Sequence, residues 1–114
     1  MSNVVIWHNP RCSKSRATLA LLEQRGIEPE IIPYLQQPPD AAELRRVLDL
    51  LRLQPAALIR RGEQPYADLG LASASADELV AAMAEHPILI ERPVVIHGDR
   101  AALGRPPERV LEIL

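Results

Sequence analysis

The segment that most constrains the fold is a four-residue apolar run, Val4 to Trp7, which leads through a polar turn into a helical pattern. β-Branched residues and an aromatic in so short a run predict a buried strand. A first helix is predicted from about Ser13 to Arg25, with Gly26 at its C-terminal end. A second strand is predicted over Glu30 to Leu35, where Pro33 favours an edge position. Strand, helix and strand at this spacing form a βαβ unit, so the two strands are predicted to be parallel.

The middle of the chain is predicted to be helical. Asp40-Ala41-Ala42-Glu43 resembles a capping box, and an amphipathic helix follows with apolar positions at Leu44, Val47, Leu48 and Leu51. A short helix is predicted from Pro55 to Arg61-Gly62. Ser75-Ala76-Asp77-Glu78 is a capping box of standard composition, and its helix is predicted to run to about Glu85.

The C-terminal part is predicted to form a β-hairpin and a helix. Strands over Pro93–Ile96 and Arg100–Leu103 flank Gly98-Asp99, a two-residue hairpin turn. Pro106-Pro107 opens a last helix with an apolar stripe of Val110, Leu111 and Leu114. This order favours an α/β fold in which helices flank one mixed sheet. The chain is predicted to be a single domain over residues 1–114, with a helical insertion at about 40–86 between the βαβ unit and the C-terminal ββα unit.

Charge and composition narrow the class of protein. The formal net charge is −2, so there is no global basic field and no nucleic-acid partner is expected. No apolar stretch approaches the ~20 residues that span a bilayer, so no membrane partner is expected. One cysteine cannot form an internal disulfide, and the N-terminus carries no leader pattern, which favours a cytoplasmic protein. The three histidines, His8, His86 and His97, lack metal-ligand spacing, so no metal site is expected.

The only cysteine, Cys12, lies between the first strand and the first helix. Unpaired N–H groups and the helix dipole favour an anion at a helix N-terminus, and therefore the nucleophilic thiolate. His8 and Arg11 are expected to add positive charge, and Ser15 is able to hydrogen-bond the thiolate. The alternative is that Cys12 is a small buried hydrophobe, as free cysteines often are.

Two better-known cysteine motifs do not match. A phosphatase-type loop needs an arginine six positions after the cysteine, but that position is Thr18, and Arg16 comes too early. A Cys-x-x-Cys redox motif is absent because Ser15 occupies its fourth position. A second sulfur would therefore have to come from another molecule.

Three arginines occupy suggestive positions, at Arg60, Arg92 and Arg105. Arg92 precedes the first strand of the predicted hairpin and Arg105 follows the second, so these two are expected to be neighbours. A guanidinium matches the geometry of a tetrahedral oxyanion, which makes the three arginines candidates for an oxyanion clamp. The alternative is that they are solvated loop charges beside prolines.

Four separated motifs, in order along the chain, resemble the glutaredoxin-linked arsenate reductase (ArsC-like) family. The first is His8-Asn9-Pro10-Arg11-Cys12-Ser13-Lys14-Ser15-Arg16. The others are Arg60, the stretch His86-Pro87-Ile88-Leu89-Ile90-Glu91-Arg92-Pro93, and Gly104-Arg105-Pro106. The resemblance covers essentially the whole chain and implies a thioredoxin-like fold.

The resemblance also implies a reaction and its residues. Cys12 would attack arsenate and form a Cys–S–As intermediate, while Arg60, Arg92 and Arg105 bind the oxyanion. His8 would help to keep Cys12 ionised, and the peptide before Pro93 would be cis. Glutathione would be the co-substrate and glutaredoxin the partner that releases arsenite, with no bound cofactor.

Two other functions remain open at this stage. One is a thiol oxidoreductase that acts on glutathionylated substrates and meets arsenate only incidentally. The other is a non-enzymatic redox regulator that docks on RNA polymerase, although such relatives usually carry the Cys-x-x-Cys that is missing here.

Overall fold

The computed structural model describes residues 3–114, and these form two compact units. The first contains the chain up to Gln37 together with Arg92–Leu114, and the second is Pro38–Glu91. That the chain is one domain with an insertion at about residues 40–86 stays a prediction. Among residues 3–114, no helix is long and apolar enough to cross a membrane.

The first unit is built on a four-stranded mixed sheet of order β2-β1-β3-β4. Its strands are β1 (Val4–Trp7), β2 (Glu30–Ile32), β3 (Val94–His97) and β4 (Arg100–Leu103). β1 pairs with β2 in parallel and with β3 antiparallel, and β3 and β4 form the hairpin. The parallel pair, the hairpin and the mixed sheet are confirmed.

Helix α1 (Ser13–Gln24) connects β1 to β2. It begins directly after Cys12, and Gly26, two residues beyond its last residue, adopts the left-handed region with φ 74°. The N–H of Gly26 donates to the carbonyl of Glu23, and the N–H of Ile27 to that of Leu22. This is a Schellman motif, in which N–H groups beyond the helix end bond to carbonyls that have no partner within the helix. The predicted helix and its glycine cap are confirmed.

The core of the first unit lies between the sheet, α1 and a C-terminal 3₁₀ helix, Pro107–Ile113. Its buried side chains are Val4, Ile6, Leu22, Val95, Val110 and Ile113. The predicted apolar stripe of the last helix is partly wrong. A 3₁₀ helix repeats every three residues, so Ile113 rather than Leu111 is buried with Val110. The ring Nδ1 of His97 and the carbonyl of Ile113, 2.6 Å apart, hold this helix end to β3.

The second unit is helical, with α2 (Ala41–Leu51), α3 (Pro55–Leu58), α4 (Gln64–Asp68) and α5 (Ala76–Glu85). Short 3₁₀ turns lie at Leu71–Ser73 and Pro87–Leu89. Both predicted caps form, since Asp40 accepts the N–H of Glu43 and Ser75 makes a complete capping box. The predicted inner faces of α2 and α5 are buried, with Leu44, Val47, Leu48, Leu79, Val80 and Met83.

Two element boundaries and one additional helix differ from the prediction. α3 ends at Leu58, because Ile59 forms an isolated antiparallel bridge with Ile90. α4 was not predicted. β2 ends at Ile32, since Pro33 starts a turn in which its carbonyl accepts the N–H groups of Gln36 and Gln37.

Candidate active site

Cys12 is the N-cap residue of α1 and its side chain is buried, with 8% of the residue exposed. Its N–H donates to the carbonyl of Asn9 at 3.0 Å, which closes a tight turn, and its own carbonyl accepts the first helical N–H from Arg16. The side chain of Asn9 accepts the N–H of Arg11 at 3.0 Å. Asn9, which the sequence did not single out, therefore shapes the turn that presents the thiol.

Ser15 connects the first turn of α1 to the residues before Cys12. Its side chain is fully buried, and its hydroxyl oxygen accepts the N–H of Asn9 at 3.0 Å. The same oxygen lies 2.7 Å from the ring Nδ1 of His8. The hydroxyl is thus held by two consecutive residues, His8 and Asn9, which come before the thiol in the chain.

Burial lowers the pKa of His8, and the positive charge of Arg16 lowers it further. An ordinary histidine pKa is about 6.5, so a further lowering disfavours the charged ring near neutral pH. The shift runs against the expectation that His8 adds positive charge beside the thiol, and that expectation stays a prediction. In its contact with Ser15 a neutral His8 ring either donates or accepts, and the ring tautomer decides which.

Positive charge near Cys12 comes instead from side chains on the surface of the turn and of α1. Arg11, Lys14 and Arg16 are exposed, and no carboxylate occurs in the sequence between residues 3 and 22. Arg16 also donates to the carbonyl of Pro10 at 2.8 Å, which ties its charge to the turn. Cations without compensating carboxylates in this segment favour an anionic substrate here.

Arg92 and Arg105 are neighbours, as the hairpin predicted. The Nε of Arg105 donates to the carbonyl of Arg92 at 2.9 Å, and the N–H of Gly104 donates to the carbonyl of Pro93 at 3.0 Å. The peptide between Arg92 and Pro93 is cis, which confirms the expectation from the resemblance. The bond between Arg105 and Pro106 is also cis and was not expected.

Gly104 packs directly against α1, a contact that the sequence analysis did not find. A Cβ at this position would overlap the Thr18 hydroxyl and lie 2.7 Å from Cγ of Pro93. Thr18 is fully buried, and its hydroxyl donates to the carbonyl of Lys14 at 2.8 Å. Only a residue without a side chain fits, so this glycine sets how closely the hairpin that carries Arg105 approaches the helix that begins at Cys12.

Arg60 belongs to the second unit and is partly buried there. Its Nη1 lies 3.0 Å from a carboxylate oxygen of Glu63, and its Nε lies 3.4 Å from one of Glu91. Its backbone N–H donates to the carbonyl of Leu89 at 2.6 Å. Arg60 is therefore an anchored cation with two carboxylate partners, not a solvated loop charge. That it joins the other two arginines stays a prediction.

No group of three or more His, Cys, Asp or Glu side chains within residues 3–114 is arranged to hold a metal ion. Cys12 is a free, buried cysteine in this structure. The first unit therefore combines a mixed sheet, a cysteine at the N-terminus of α1 and a hairpin that follows a cis-proline bond. These features define a thioredoxin-like protein with one thiol.

Comparison with known proteins agrees with this class. The model of the ArsC family matches residues 7–113. An uncharacterized protein, YfgD of Escherichia coli K12, is 51% identical over 97% of this chain and 96% of its own length. An arsenate reductase of Haemophilus influenzae is 49% identical over 98% and 99%. A solved structure, an arsenate reductase from Vibrio cholerae, superposes with a TM-score of 0.96 at 53% identity and covers 99% of this chain and 98% of that one.

The chain belongs to the ArsC family, because the family model spans nearly all of it and full-length relatives exceed 45% identity. The thioredoxin-like fold predicted from the sequence is confirmed by the sheet order and by the superposition. The roles of the site residues are not tested by these likenesses.

The close approach of Gly104 to Thr18 leads to a stability prediction. Gly104→Ala should lower the free energy of unfolding by ~1–3 kcal/mol, because the added methyl group overpacks a tight contact. Thr18→Ala removes the nearest atom, so the double variant should lose less than the sum of the two single losses. Urea unfolding measures all three, with Gly62→Ala as the matched control, since nothing lies within 4 Å of a Cβ there. Strictly additive losses, or a Gly104→Ala as mild as the control, would contradict this packing account.

Proposed function

We propose that this protein is an arsenate reductase that uses glutathione and glutaredoxin, with Cys12 as the nucleophile. The observation that carries the proposal is the position of Cys12, at the N-cap of α1 in a segment with three exposed cations and no carboxylate. The arsenate reductases among the full-length relatives point to the substrate. A protein that draws on glutathione works in a reducing compartment, so we also propose a cytoplasmic location.

The first step is a substitution at arsenic without a change of oxidation state. The Cys12 thiolate attacks arsenic(V) of arsenate, and one oxygen leaves as water after taking up protons. The product is a Cys–S–As(V) adduct in which three oxygens remain on arsenic. The N-terminal end of α1 favours both the attacking thiolate and the anionic adduct.

The second part of the cycle supplies two electrons from two external thiols. The glutathione thiolate adds to arsenic and displaces a second hydroxide. A glutaredoxin thiolate then attacks the glutathione sulfur, and the As–S bond breaks with its electron pair on arsenic, which becomes arsenic(III). Glutaredoxin leaves as a mixed disulfide with glutathione, and water cleaves the remaining Cys–S–As bond to release arsenite and the Cys12 thiol.

His8 and Ser15 are proposed to support the thiolate through their shared hydrogen bond. In the neutral form of His8, which its lowered pKa favours, one ring nitrogen carries a proton and the other accepts a hydrogen bond. With the proton on Nδ1, the ring donates to Ser15 and leaves the hydroxyl hydrogen available to the Cys12 thiolate. With the proton on Nε2, Ser15 donates to the ring instead. The first tautomer is the one that favours the charged nucleophile.

Arg60, Arg92 and Arg105 are proposed to bind the oxyanion and its products. Charge-assisted hydrogen bonds of this kind contribute ~1.5–3 kcal/mol each. The carboxylates of Glu63 and Glu91 hold the Arg60 guanidinium in one geometry before the anion arrives. A guanidinium that is already fixed loses less conformational entropy when it binds an anion. The two carboxylates also offset part of the positive charge of Arg60.

Replacing the nucleophile tests the proposal at its centre. Cys12→Ser should retain the thermal unfolding profile but show no arsenate reduction above background, because a serine hydroxyl is barely ionised at neutral pH. Ser13→Ala, at the exposed neighbouring position, is the matched control and should keep turnover. An NADPH-coupled assay with glutathione, glutaredoxin and glutathione reductase measures both. Residual arsenate-dependent turnover in Cys12→Ser would show that another group is the nucleophile.

The oxyanion clamp has its own test, with binding as the readout. Replacing Arg60, Arg92 or Arg105 singly by alanine should weaken binding of arsenate or sulfate at least tenfold, roughly 1.4 kcal/mol. Arg109→Ala is the matched control, since Arg109 is exposed and lies in the same C-terminal segment as Arg105. Calorimetric titration gives the dissociation constants. If all three variants bind anions as tightly as the control does, the arginines are not a clamp.

A further inference from the structure

A cleft of about 240 Å³ lies beside the turn that presents Cys12. One wall is residues 8–11, which follow β1, and the other contains Pro33, Leu35 and Gln36, which follow β2. Because β1 and β2 are parallel, both walls leave the sheet at the same edge. The N–H of His8 donates to the carbonyl of Ile32 at 2.9 Å and holds the two walls together at their base. Crevices at the carboxyl ends of parallel strands are the usual ligand sites of α/β folds.

The lining of the cleft selects a class of ligand. Among the lining side chains, Arg11 is the one that stays positively charged at any working pH. None of the lining side chains carries a carboxylate. Gln36 adds an exposed amide, which both donates and accepts hydrogen bonds. Pro10, Pro33 and Leu35 supply apolar surface. The combination suits a small molecule with a carboxylate, a peptide group and a short apolar part.

The size of the cleft limits how much of a ligand it holds. Pockets that enclose a drug-sized molecule usually measure ~300–1,000 Å³. At about 240 Å³, this cleft takes one end of a tripeptide and leaves the other end outside. The wall and the nucleophile belong to one turn, since Arg11 is adjacent to Cys12 in the chain and the Cys12 N–H donates to the carbonyl of Asn9. A ligand anchored at Arg11 is therefore held on the turn that carries the thiol.

We propose that this cleft binds the carboxylate end of a small peptide thiol and so directs that thiol to the arsenic on Cys12. Under the proposed function, on which this inference rests, the thiol is glutathione. Arg11 pairs with a carboxylate, Gln36 bonds to a peptide group and Leu35 packs against the stem. The step that the cleft serves is the addition of the glutathione thiolate to arsenic(V) with loss of one hydroxide. No electron moves in that step, because both are transferred later at the glutathione sulfur.

Binding of S-methylglutathione tests the cleft without any turnover, since this probe has no free thiol. We expect it to shift the amide resonances of residues 8, 9, 11, 35 and 36 of the wild-type protein. Arg11→Gln should weaken its dissociation constant at least fivefold. Arg25→Gln, which removes an exposed arginine at the far end of α1, should leave the constant unchanged. Shifts confined to other residues, or equal affinities in the two variants, would overturn the proposal.

Kinetics then separate the cleft from the oxyanion site. In Arg11→Gln the KM for glutathione should rise at least fivefold, and by a larger factor than the KM for arsenate. The difference between Arg11→Gln and the wild type in KM for the thiol should shrink when cysteamine, which has no carboxylate, replaces glutathione. A rise in the arsenate KM alone would overturn the assignment. If S-methylglutathione binds in the cleft but the wild-type protein does not reduce arsenate, the cleft is supported and the proposed arsenate reductase activity is contradicted.

Discussion

The buried hydroxyl of Ser15 is the contact on which the geometry of the candidate active site depends. It accepts the backbone N–H of Asn9 and lies 2.7 Å from the ring of His8, so the first turn of α1 is attached to the end of β1. Cys12 lies between these two anchored ends, and its own backbone closes the turn through the carbonyl of Asn9. A buried hydroxyl without partners would be costly, so the turn and the helix stabilise each other. Moving the thiol would require breaking this network.

A second constraint lies three residues further along α1, at Thr18. Gly104 allows the β3–β4 hairpin to approach the Thr18 side chain more closely than a residue with a Cβ could, and the N–H of Gly104 donates to the carbonyl of Pro93. The same hairpin brings the guanidinium of Arg105 to the carbonyl of Arg92. The Arg105 guanidinium is therefore held by a backbone carbonyl of the first unit. Under the proposed function, an arginine fixed in this way would need little rearrangement to bind an anion.

Much of the fold could be predicted because its signals are local in the chain. Each of these signals indicates an element within a few residues: the β-branched run of β1, the glycine after α1 and the Ser75 capping box. What could not be predicted depends on contacts between distant residues. α3 ends early because Ile59 pairs with Ile90, more than thirty positions away. The closeness of Gly104 to Thr18 is likewise a property of the folded chain alone.

The candidate site divides in the same way. Cys12 at a helix start and the adjacency of Arg92 and Arg105 followed from element order, because a hairpin brings its two flanks together. The lowered pKa of His8 was not predicted, since it arises from burial and from the approach of Arg16, which depend on the fold. The carboxylate partners of Arg60 were also not predicted. Glu91 is distant in the chain and meets Arg60 only in the folded protein. Local pattern identifies the candidate groups, and packing decides their partners.

The central claim is that this protein, with one cysteine, needs a small external thiol such as glutathione to complete the reduction of arsenate. The most direct measurement is arsenate-dependent NADPH oxidation with two reducing systems, thioredoxin with its reductase, and glutathione with glutaredoxin and glutathione reductase. The account predicts no turnover with thioredoxin alone and full turnover with glutathione and glutaredoxin, because only Cys12 is present to hold arsenic. Full turnover with thioredoxin and no small thiol would contradict it.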